Sequence, residues 1–198
     1  MTDNNGIEKN TSDKIQKNSL AKGILEFVEM FVILILAVLL IYNFAFRVCN
    51  VNGKSMNMTL YNGQRIITTN IFYTPKQDDI IVFHQTGELN EPLVKRVIAT
   101  EGQNVKIDFS EKNNMTIWID GELYDDAYGY YDEARSTIYP QHNFDYETQI
   151  FEATVPDGHV FVLGDNRNNS KDSRNNAIGF VDERRIIGKC VYQINLKK

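Results

Sequence analysis

Residues 30–46 read MFVILILAVLLIYNFAF, a run with no charged residue and a single amide, Asn43. With the preceding ILEFVE it is long enough to cross a bilayer, which takes about 20 residues at a rise of about 1.5 Å each. A buried helix of a water-soluble fold would show a polar face somewhere along its length, and this run has none. A cleavable leader would carry a small-residue A-x-A-like pair behind a shorter apolar core, and NFAFRVCNVNG carries no such pair. The run therefore reads as a retained transmembrane helix over residues 24–46. The polar stretch before it, residues 1–23, reads as a disordered tail.

Flanking charge sets the expected orientation. Lys9, Lys14, Lys17 and Lys22 precede the span, whereas Arg47, Lys54 and Arg65 follow it. By this bias the N-terminus stays in the cytoplasm and residues 47–198 lie outside. Of the 21 basic and 26 acidic residues of the chain, five of each lie at or before Arg47, so the outer part is acidic. That balance excludes nucleic acid as a partner. Cys49 and Cys190 give no metal spacing, and they could join in a disulfide if the first and last outer strands were neighbours.

Past Arg47 the helical pattern gives way to short β-branched and aromatic runs: 64–72, 78–84, 92–100, 104–109, 115–124, 159–164 and 188–196. Turn pairs separate most of them, and WIDGEL is a strong hairpin signal. So many strands without a long helix predict an all-β domain, an antiparallel sandwich or barrel. The weakly patterned stretch 125–157 reads as an excursion from it.

His84, His142 and His159 are scattered, and neither H-x-x-x-H nor C-x-x-C occurs, so no metal and no other cofactor is expected. Lysine is the other residue able to activate a serine, provided that burial strips its proton. PLVKRVIAT embeds Lys95 among apolar residues, although a solvent-facing lysine on an alternating strand has the same pattern. Ser55 in NGKSMN is either an ordinary turn residue or a nucleophile on a bend that Gly53 permits. LGDNRNNSKDSRNNAIG, residues 163–179, is a solvated loop or a buried polar network in which Asp172 pairs with Arg174 and Ser170 offers a hydroxyl.

Taken in order behind a membrane span, these three segments resemble the boxes of bacterial type I signal peptidases. GKSMNMTL matches the pattern G-x-S-M-x-P-T-L except at Met58, where proline is usual. KRVIATEGQ resembles K-R-V-I-G-x-P-G-D, with Ala99, Glu101 and Gln103 departing. GDNRNNSKDSR is complete, and DIIVF resembles a family strand.

The resemblance implies an all-β peptidase domain over residues 47–198, with a small insertion subdomain around 104–157. It implies Ser55 as nucleophile, Lys95 as general base, Ser170 orienting the amine, and an Asp172–Arg174 salt bridge as support. It further implies that Asp165, Asn166 and Arg167 shape the adjacent loop and that Met56 flanks the substrate groove. An oxyanion would meet the Ser55 N–H and a donor near Gly53. The implied substrates are exported preproteins with small residues at −1 and −3. The implied partners are the lipid bilayer and the protein-export translocon. The alternatives are a weak or inactive peptide-binding member of the same family and a Ser-Lys self-cleaving repressor. The latter would need a DNA-binding domain where the apolar run stands.

Overall fold

The computed structural model describes residues 5–85, 91–111, 114–132 and 135–194. The chain divides into two units, residues 1–45 and 46–198. The first is one helix, α1, Asn5–Ala45. Its segment Lys22–Asn43 is 22 residues long and apolar enough to cross a membrane. Every side chain along that segment is exposed. The disorder expected for residues 1–23 does not hold from Asn5 onward, where the helix already runs. No proline interrupts residues 5–45. Once the apolar run is helical, each further residue joins without a second nucleation step.

The second unit is built of antiparallel sheet, as its sequence pattern predicts. A seven-stranded sheet has the order β1 (Phe46–Asn50), β2 (Arg65–Thr69), β12 (Ile186–Ile194), β3 (Ile80–His84), β4 (Pro92–Ala99), β10 (His159–Leu163) and β11 (Val181–Asp182). A five-stranded sheet has the order β7 (Glu122–Leu123), β6 (Thr116–Ile119), β5 (Asn104–Asp108), β9 (Ile150–Thr154) and β8 (Phe144–Asp145). The smaller sheet falls within the stretch 104–157 where the insertion is expected.

Alternation governs the smaller sheet. Val105, Ile107, Ile117, Ile119, Phe151 and Ala153 point inward, with Lys106, Trp118 and Glu152 between them on the other face. Its apolar face shares a core with Ile98 and Ala99 of β4 and with Phe161 and Leu163 of β10. A second core holds Ile81, Phe83, Val97, Val160 and Val162. A third holds Val51, Met56, Leu60, Ile66, Val82 and Val94. β4 contributes to all three, so from Val94 to Ala99 it is buried on both faces. That is why the alternating strand with an exposed lysine is not what forms.

Sequence patterns missed β1, which reads as the tail of the apolar run, β9, whose IFEAT does alternate, and the two-residue strands β8 and β11. β2 lies between β1 and β12, with Cys49 opposite Ile66 and Cys190 opposite Thr68. Both thiols are free. Two strand spacings of about 4.8 Å exceed the roughly 7 Å between Cα atoms that a disulfide can bridge.

Candidate active site

Ser55 sits on a loop closed at its base by two backbone bonds. The Val51 N–H donates to the Gln64 carbonyl and the Gly63 N–H to the Val51 carbonyl, each at 2.8 Å. Gly53 holds φ +91, a left-handed conformation that glycine reaches without a Cβ clash. Its N–H donates to Asn62 Oδ1 at 2.8 Å, so Gly53's own N–H is already engaged. The Ser55 N–H has no partner among the described residues. Met56, expected beside a substrate groove, is 1% exposed and sits in the third core. An apolar side chain next to the serine anchors the loop from beneath and leaves Ser55 half-buried at the surface.

Lys95 reaches that serine from β4. Its Nζ donates to Ser55 Oγ at 2.8 Å and to the Val94 carbonyl at 2.9 Å. The side chain is 3% exposed. Burial lowers the amine from its ordinary 10.5 to about 8, against the opposing pull of Asp172, Asp165 and Glu91. Ser170 does not orient the amine as expected. Its buried hydroxyl makes no hydrogen bond of normal geometry, although it lies close enough to Asp172 to favour that carboxylate's charge. The acceptor that fixes the amine is the Val94 carbonyl, which the strand supplies for nothing beyond its own backbone.

Four cations are buried among the described residues, and three of them are arginines with carboxylate partners. Arg96 grips Asp165 with two bonds, Nε to Oδ1 at 2.9 Å and a terminal nitrogen to Oδ2 at 2.7 Å. Arg174 grips Asp172 in the same way, both bonds at 2.8 Å. Arg167 pairs with Asp126. Lys95 has no such partner. Burial would raise the Asp172 carboxyl, but the Arg174 guanidinium outweighs it and holds the group below the usual carboxylate range. The carboxylates nearest the lysine are thus committed to guanidinium groups that keep their protons. Lys95 is the one that can give its proton up.

The 163–174 segment ties these parts together. Gly164 lies so close to Ser170 and to the Ser55 carbonyl that a Cβ would sit 2.6 Å from that carbonyl oxygen. Asn166 bonds the Ser55 carbonyl through its backbone N–H at 2.9 Å and the Lys54 carbonyl through its side chain at 3.2 Å. Asp165 also accepts from Thr59 Oγ1. Arg96, Thr59 and Asp126 were not foreseen as parts of the site. A Lys-Arg pair inside an apolar strand is a visible sign of Arg96, whereas Asp126 lies in the unpatterned stretch and has none. Arg96 also stacks under the Tyr128 ring, 3.7 Å from its centroid.

Two of the departures from the family pattern have structural partners. Glu101 accepts from the Gly158 N–H at 2.8 Å, and Gln103 accepts from the Thr100 N–H at 2.9 Å. Met58 takes φ +79, which no proline can adopt. Beyond the serine, β10 runs beside β4 only from Ala99 to Arg96. Residues 92–95 of β4 therefore have β3 on one side and no strand on the other among the described residues. A serine hydroxyl bonded by a buried amine of lowered pKa, a free backbone N–H and an open strand edge together suit attack on the carbonyl of an extended peptide.

A family model described as signal peptidase, peptidase S26, matches residues 24–194. Signal peptidase I S of Bacillus subtilis is 36% identical over 179 residues, which is 88% of this chain and 91% of the relative. A probable signal peptidase I-1 of Synechocystis sp. is 34% identical over 174 residues, 83% of this chain and 78% of the relative. A crystal structure of a signal peptidase I from Enterococcus faecalis is 29% identical, with a TM-score of 0.43, covering 60% of this chain and 98% of that one.

Proposed function

This chain belongs to the signal peptidases of the peptidase S26 family, and from that premise we propose a membrane-anchored serine endopeptidase that removes signal peptides from exported preproteins. Ser55 is the nucleophile and Lys95 the general base. The observation that carries this reading is the 2.8 Å contact between a buried amine and the serine hydroxyl.

The amine, neutral in part near pH 7, takes the hydroxyl proton as Ser55 Oγ attacks the scissile carbonyl. The oxyanion meets the Ser55 N–H. The ammonium then returns its proton to the leaving amine, and water releases the acyl group by the same route. The substrate strand pairs with the open edge of β4 at residues 92–95. Helix α1 anchors the peptidase with its N-terminus in the cytoplasm. Tethering raises the local concentration of cleavage sites that emerge at the membrane. An inactive peptide-binding protein is disfavoured because an idle site gains nothing from a lysine buried without a counter-ion.

Cleavage of a model preprotein with an A-x-A site tests the reading. Wild type should cut after the second small residue. Folded Ser55→Ala and Lys95→Arg should each lose at least about 10³-fold in kcat, since neither a methyl group nor a guanidinium can replace what it removes. Cleavage by folded Ser55→Ala at a rate near wild type would refute it.

A further inference from the structure

The peptide unit that enters the serine is held from behind. The Lys54 carbonyl accepts from Asn166 Nδ2 at 3.2 Å and from the Asn57 N–H at 3.1 Å. That carbonyl and the Ser55 N–H are the two ends of one planar trans peptide, so they point in opposite directions. Whatever fixes the carbonyl aims the N–H. We propose that Asn166 is the positioning residue of the oxyanion hole: its side-chain amide holds the Lys54–Ser55 peptide so that the Ser55 N–H faces the charge that develops on the scissile oxygen. This rests on Ser55 being the nucleophile.

Three features of the site carry the proposal. Turning the Asn166 amide over would set its oxygen against the Lys54 oxygen, acceptor against acceptor, so the donor end must face the carbonyl. In that orientation Asn166 Oδ1 is buried without a partner, in a residue only 1% exposed. An abandoned acceptor is destabilising, so a residue chosen for stability alone would be apolar. Moreover, the Lys54 carbonyl keeps the Asn57 bond whether or not Asn166 is there, so the side chain is not needed to satisfy a buried acceptor. What the second bond adds is a fixed direction and a more polarised amide, which makes the N–H at the far end a stronger donor.

The test compares Asn166→Ala and Asn166→Leu with the wild-type full chain in detergent micelles, using the same model preprotein. The expected result is a fall in kcat of about 10- to 100-fold, part of the 10²–10³-fold that a lost oxyanion donor costs. KM and the midpoint of the pH–rate profile should not move, and the melting temperature should hold or rise because the orphaned acceptor is gone. Unchanged kcat in both variants would overturn the proposal. So would a fall in kcat accompanied by a lower melting temperature and a displaced pH midpoint, which is what a mere brace for the loop would give. Either failure leaves the inactivity of Ser55→Ala untouched, whereas active Ser55→Ala would strike the nucleophile assignment itself.

Discussion

Between Asn104 and Thr154 every buried side chain among the described residues is apolar, and the smaller sheet closes on an ordinary alternating core. Within residues 94–97 and 163–174, by contrast, Lys95, Arg96, Arg167, Arg174, Asp165 and Asp172 are all buried. Ion pairs out of water are a poor way to gain stability, because desolvation consumes most of their attraction. The smaller sheet shows that this chain can fill an interior without them. The polar interior beside β4 is therefore better understood as a device for charge placement. Three arginines occupy the carboxylates and hold the loops in register, while one lysine is left dry and uncompensated.

The contrast can be broken from either side. The largest expected change in stability comes from Asp172→Ala, which strands the buried Arg174 guanidinium and should cost about 3–5 kcal/mol. Ile117→Ala in the smaller sheet should cost about 2–5 kcal/mol by leaving a cavity. Only the first should also displace the pH midpoint of cleavage, since Asp172 acts on the Lys95 amine and Ile117 does not. Unfolding by denaturant and a pH–rate profile for each variant separate the two. A midpoint that moves equally in both would erase the distinction.

Lys95→Met should go the other way and stabilise the fold while ending catalysis. The folded amine titrates at about 8 against an ordinary 10.5. Below about pH 8 it is charged both folded and unfolded, so its burial penalty is present in full. That penalty fades as pH rises toward 10.5, because the unfolded chain then holds the proton and the folded one does not. The variant should thus be more stable than wild type by about 3 kcal/mol at pH 6–7, with the gap closing above pH 10. A gap that is constant with pH would contradict the assignment.

The smallest effect concerns Met58, which is 61% exposed and held at φ +79. Met58→Gly should be neutral or stabilising by up to about 1 kcal/mol, while Met58→Pro should be destabilising because its φ is fixed near −65°. Melting curves of the two variants check this. A stabilising proline would mean that the loop after Ser55 takes another path.

How legible all this was depended on how local the cause was. The antiparallel class, most strands and the apolar helix follow from patterns within short windows. The pairing of Asp172 with Arg174 spans two positions and was readable. What was not readable depends on which strands become neighbours. β4 is covered on both faces only because three cores meet on it, and that alone turns Lys95 inward. Arg96 finds Asp165, and Arg167 finds Asp126, across distances in sequence that no spacing rule reaches. The resemblance gives Ser170 the amine to orient, whereas the backbone acceptor that the amine meets is the Val94 carbonyl. The helix from Asn5 is not legible in a polar composition, because it extends a helix that the apolar run has already nucleated.

The central claim is that the Lys95 amine is neutral at the pH where the enzyme works. Lysine labelled with ¹³C at Cε, titrated by NMR in the full chain, measures this directly, with the Lys95 resonance assigned by its loss in Lys95→Met. The account predicts one lysine with a midpoint near 8, well below the rest, matching the rising limb of the cleavage rate. A Lys95 midpoint above about 10, beside an enzyme already active at neutral pH, would contradict it.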